Sequence, residues 1–215
     1  MIFSKQMLMR FRPKLFVLML LLFALSSKSY AIVELSFDFA YQKQVYGAAR
    51  QNNLVNRTYM GSWAYYFSNY TALELNYSNS QEITTEKNTV ALTSTLSITG
   101  TQNRVTNTVY GVGIRQSFAP KGARIRPTMS LGYATQEMQS ISDYTFSDSV
   151  SGASTTVTTS VIKTRADSAF GTFALQLGIT QTFAIRASVA TVFPAFEWNA
   201  AKNNLKYLAG FNWIF

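Results

Sequence analysis

The two-residue rhythm at the end of the chain limits its fold more than any other feature. The last eleven residues read Leu-Lys-Tyr-Leu-Ala-Gly-Phe-Asn-Trp-Ile-Phe. Every second one counted back from the C-terminus, namely Phe215, Trp213, Phe211, Ala209, Tyr207 and Leu205, is apolar or aromatic. Between them stand Asn212, Gly210 and Lys206. A period of two belongs to a strand with two unlike faces. Terminal residues of soluble domains are normally solvated and frayed, so a terminal face this apolar needs an apolar environment, and lipid supplies one. An alternating segment of about ten residues is what one barrel strand needs to cross the hydrocarbon layer.

The same rhythm returns along the chain. Strands are expected over residues 33–45, 54–67, 71–78, 104–118, 124–136, 166–179, 183–193 and 205–215. In the third, Leu73, Leu75 and Tyr77 oppose Glu74, Asn76 and Ser78; in the fifth, Ile125, Met129, Leu131 and Tyr133 oppose Arg126, Ser130, Gly132 and Ala134. Pro127 removes a ladder donor and is tolerated best near a rim. Tight polar turns at 68–70, at 120–122 and near Gln181 follow the second, fourth and sixth strands and imply antiparallel returns. Residues 79–103 and 138–164 are read as long exposed loops, the first with arms that extend its neighbouring strands. In the second, thirteen of the twenty-five residues from Ser140 to Thr164 are Ser or Thr, a composition that points to partial disorder.

An even number of strands, each paired with its neighbours, closes without an edge. The expected fold is therefore all-β, an eight-stranded antiparallel up-and-down transmembrane β-barrel, with short turns on the periplasmic side and long loops outside. A soluble sandwich or lipocalin-like barrel would also alternate. Such a fold would bury Val and Leu where this chain puts polar and small residues, and would wet the face that is apolar here.

Residues 1–31 carry Lys5, Arg10, Arg12 and Lys14, then an eleven-residue apolar run, then small residues at Ser29 and Ala31. This layout is that of a secretory signal peptide, with cleavage expected after Ala31 and the barrel domain over 32–215. The apolar run falls well short of the roughly 20 residues of a membrane-spanning helix. No Cys follows it, which argues against a lipid anchor. Without this segment, fourteen basic residues face ten acidic ones, so the net charge falls from +9 to +4. No basic cluster of the kind expected for nucleic-acid binding remains.

The terminal strand resembles that of bacterial outer-membrane barrels, in which a final Phe preceded by alternating aromatics serves as the assembly signal. The resemblance implies that role for Phe211, Trp213 and Phe215, with the barrel assembly machinery as a partner. The whole strand pattern resembles the small eight-stranded OmpA-like, OmpX-like and OmpW-like barrels. That implies a monomer among outer-membrane lipids, in the cell outer membrane of a Gram-negative bacterium.

The chain has no His and no Cys, so a Ser-His pair, a thiolate site and a disulfide are all absent. No phosphate-cradling or metal motif occurs. A non-enzymatic protein without a cofactor is expected, with a structural or surface-interaction role in which the long loops meet an extracellular ligand. The alternative is a narrow channel for small or apolar solutes, as the OmpW-like resemblance implies. Charged residues on inward parity include Glu34, Asp38, Glu74, Arg115, Arg126 and Arg186. They are expected to pair in the periplasmic half as an interior charge network, because an eight-stranded barrel is only wide enough for its side chains. Inward Gly111, Gly113, Gly132, Gly178 and Gly210 are expected to make room for the arginines. Phe67, Tyr70, Tyr77, Phe118, Tyr133 and Trp198 are read as interface belts.

Overall fold

Alternation becomes ladder in the computed structural model, which describes residues 32–195 and 197–215. The expected signal peptide and the Trp198 side chain lie outside the described residues. The strands are β1 (Ile32–Tyr46), β2 (Asn52–Tyr66), β3 (Thr71–Glu86), β4 (Val90–Ala91), β5 (Leu96–Ser117), β6 (Ile125–Asp148), β7 (Ser154–Thr158), β8 (Ile162–Gly178), β9 (Phe183–Pro194) and β10 (Lys206–Ile214). A 3-10 helix, Trp198–Asn204, leads into β10. β4 and β7 are edge pieces; the other eight strands pair antiparallel in chain order, and β10 returns to β1. The result is a closed eight-stranded up-and-down barrel.

The turns at one end are short. In the first, the Thr71 N–H donates to Ser68 Oγ at 3.0 Å; in the next, the Ala123 N–H donates to the Pro120 carbonyl at 2.9 Å. Pro127 is the third residue of β6, close to that rim, and its carbonyl accepts from the Phe118 N–H at 2.9 Å.

Polarity is inside out. Leu75, Val112, Ile114, Leu131, Phe173, Leu175 and Ile185 are among the exposed outward residues, whereas Ser36, Glu74, Asn76, Arg115, Thr128 and Gln176 are buried. A soluble barrel would reverse these sets. Together with the closed strand order, in which each of the eight strands pairs on both sides, they mark the outer wall as lipid-facing.

The arms expected of the first long polar stretch are present and take up most of it, whereas the second differs from the loop reading. β3 continues to Glu86 and β5 begins at Leu96, so most of 79–103 is laddered. β6 runs to Asp148 and pairs with β5 as far as Leu96↔Asp148, while β7 and the start of β8 occupy much of the rest of 138–164. Composition overstated disorder there. Thr suits a pleated strand, and a ladder satisfies the backbone without needing an apolar core above the membrane. A bulge between Ile98 and Gly100 is the one irregularity in the β5–β6 register.

Inward glycines act differently from the expectation as well. A Cβ at Gly111 would meet the Phe170 ring at 2.8 Å, and Gly132 faces the same ring, so these two make room for a buried aromatic and not for arginine. Gly210 is the position that serves the charges. It lies in register between Asp38 and Arg186, and a Cβ there would come within 2.6 Å of Asp38 Oδ1.

Candidate functional site

The lumen near the short turns is filled by charge. Arg115, wholly buried, lies on β5 two residues before its end; its Nη1 donates to Glu34 Oε1 at 2.8 Å and its Nε to Glu74 Oε2 at 2.9 Å. Its Nη2 donates to Ser62 Oγ at 2.6 Å, and Ser130 Oγ also reaches Glu74 Oε2. Arg126 Nη2 donates to Glu34 Oε2 at 2.7 Å. Both oxygens of Glu34 are therefore used twice, since the Gln176 amide (2.8 Å) and the Tyr66 hydroxyl (3.1 Å) donate to them too. Arg186 Nε sits 3.1 Å from Asp38 Oδ2, and its Nη1 donates to Ser36 Oγ at 2.9 Å.

These six charges thus meet in one region, as two connected clusters that share Ser36. Three acids and three bases balance there, which suits a water-poor lumen in which any unpaired charge is costly. One register row carries Asp38, Gly210, Arg186, Gln176 and Arg126 across five strands. The row explains why charges far apart in sequence converge.

Sequence reasoning did not find the neutral members. Tyr66 stands between Tyr65 and Phe67 and is lost among outward aromatics, although its even parity with Met60 and Ala64 points inward. Gln176 shares the inward parity of its strand, but nothing in a sequence shows which carboxylate lies across a lumen.

Two cavities flank the network. Toward the short turns, one of about 540 Å³ is lined by Lys121, Arg124, Arg126 and Gln176 among others. Lys121 caps the lumen with its ammonium 4.6 Å from the centre of the Tyr66 ring. Burial, with the Arg126 charge beside it, holds that ammonium below its usual range. Toward the long hairpins lies a vestibule of about 380 Å³, with Met60, Val109, Phe170 and Leu208 on one part of its wall and Asn56, Thr58, Ser80 and Lys206 on another. Neither cavity has Glu34, Glu74, Arg115 or Arg186 in its wall.

At the terminus, Phe211, Trp213 and Phe215 all face outward and are exposed. Phe211 packs against Phe37 at 5.6 Å between ring centres, and Phe183 meets Trp213 at 5.8 Å. Phe215 closes the barrel through backbone bonds in both directions with Val33.

Closed pairing, an apolar exterior and a charged interior define the class as an eight-stranded transmembrane β-barrel. No protein-family model matches the chain, and no curated protein matches it. Among solved structures, the chain is similar to the N-terminal β-barrel domain of Pseudomonas aeruginosa OprF, with 16% identity, 86% of this chain and 97% of that one covered, and a TM-score of 0.49. It is also similar to OprG of the same organism, with 11% identity, coverage of 86% and 95%, and a TM-score of 0.48. A third is Ail, the attachment invasion locus protein of Yersinia pestis, in complex with the heparin analogue sucrose octasulfate, with 15% identity, coverage of 87% and 100%, and a TM-score of 0.43.

Proposed function

We propose that this protein is an integral outer-membrane barrel of a Gram-negative cell, monomeric and non-enzymatic, whose hairpins outside the membrane contact an extracellular ligand. The observation that carries this reading is the height of the β5–β6 pair. On β6 the outward apolar set ends near Tyr133, after the roughly nine to eleven residues that span a bilayer, and polar Thr135, Glu137 and Gln139 follow on the same face. The ladder nevertheless continues to Asp148. Paired strands held stiffly above the membrane are a scaffold for contact, the usual place for binding on a rigid fold.

The second reading, a narrow channel for small or apolar solutes, is opposed by the charge network across the lumen. Absence of His from all 215 residues supports the non-enzymatic reading, since no Ser-His pair can form. Insertion by the barrel assembly machinery through Phe211, Trp213 and Phe215 belongs to the same proposal.

Ser140 and Ile162 are register partners, so residues 141–161 can be replaced by an Asn-Gly turn without disturbing the wall. Retention of whole cells on panels of immobilised polysaccharides and proteins should fall to background in this variant, while barrel abundance in the membrane stays unchanged. Equal retention with and without the hairpin contradicts the proposal.

A further inference from the structure

The seam that closes the barrel is laddered over only part of its height. β1 continues to Tyr46 and β10 begins at Lys206, yet their pairing runs from Glu34↔Ile214 to Phe39↔Ala209 and stops. Continued register would set Ala40 against Leu208 and Gln42 against Lys206. Ala40 does pack on the cluster of Met60, Ala190 and Leu208. Above it a cavity of about 530 Å³ opens between the strands. Its wall includes Tyr41, Leu205 and Tyr207, which are exposed on the outward face. It also includes Asn56, Thr58, Glu82, Asn204 and Lys206, all five of which line the vestibule. The vestibule therefore continues sideways through the wall.

Its walls divide into an apolar patch and a hydrogen-bonding rim. From this geometry we infer that the vestibule binds a single-chain amphiphile that enters from the bilayer between β1 and β10. The alkyl chain lies on Met60, Val109, Phe170 and Leu208, and the polar head is held at Asn56, Thr58 and Lys206. The vestibule's size falls within the roughly 300–1,000 Å³ common for ligand clefts. An opening between two neighbouring strands limits passage to one chain. Entry from the bilayer follows from where the opening lies, beside outward Tyr41, Leu205 and Tyr207. The inference rests on the reading of the outer wall as lipid-facing.

Methionine supplies a built-in test, because residues 32–215 contain it only at 60, 129 and 138. Met60 is buried and lines the vestibule, Met138 lines it while remaining exposed, and Met129 is exposed on the outer wall, so the Met60 methyl decides the test. With methyl-labelled methionine in nanodiscs of deuterated lipid doped with protonated dodecylphosphocholine, chain-to-methyl NOEs are expected at all three. NOEs at Met129 alone overturn the inference and leave the membrane reading standing. Their absence at Met129 as well overturns the membrane reading itself. For the route, a Tyr41→Cys, Tyr207→Cys pair, which the continued register would set opposite each other on the outward face of this cysteine-free chain, is bridged with a short bis-maleimide and compared with the same variant unbridged. The Met60 NOE should then disappear and that of Met129 persist. A Met60 NOE that survives in the bridged protein refutes entry through the seam.

Discussion

Glu34 shows how much a single interior residue has to do. Its two oxygens accept from two arginines, an amide and a phenol, with no exposure to water. Glu74 holds the other side of Arg115 through Arg115 Nε. A Glu74→Ala change leaves Arg115 short of a partner at a fully buried position. The expected loss is on the order of 3–5 kcal/mol, lowered to the extent that water enters the barrel. Urea titration of the refolded barrel in detergent measures it, and an unchanged midpoint would sink the idea that this pair stabilises the fold. At this scale, parity was the legible part. Charges on inward positions could be read from a period of two, whereas pairing depends on strand stagger, which no single strand reveals.

Among the elements, the central stretches of the strands were legible and their outer ends were not. The lipid-facing half of each strand carries a strong apolar signal, so the expected strand over 71–78 coincides with the lower part of β3. Beyond the membrane both faces are polar and the alternation fades, so the extensions of β3 and β5 show only as the arms of a polar loop and that of β6 goes unannounced. The terminal strand is the exception, since apolar alternation fills its whole length. Deletion of Phe215 removes its two backbone bonds to Val33 and an outward aromatic at the seam. Membrane levels of the protein should drop, as read by immunoblot of the membrane fraction. Levels equal to those of the intact chain would remove Phe215 from any part in assembly.

Taken whole, the molecule is a wall with a filled middle. Eight strands give a lumen that side chains occupy, and here they occupy it with balanced charge between a vestibule above and a cationic mouth below. Closure itself was readable from an even strand number and alternating connections. The vestibule and the partly unpaired seam were not, because they arise from where β1 and β10 part, two strands far apart in sequence that meet only on folding. The most direct measurement of the filled middle is a planar-bilayer recording of the purified, unmodified protein. A closed lumen predicts no large, stable conductance. Steady porin-like steps would mean that the charges do not meet across the barrel, and would contradict the account.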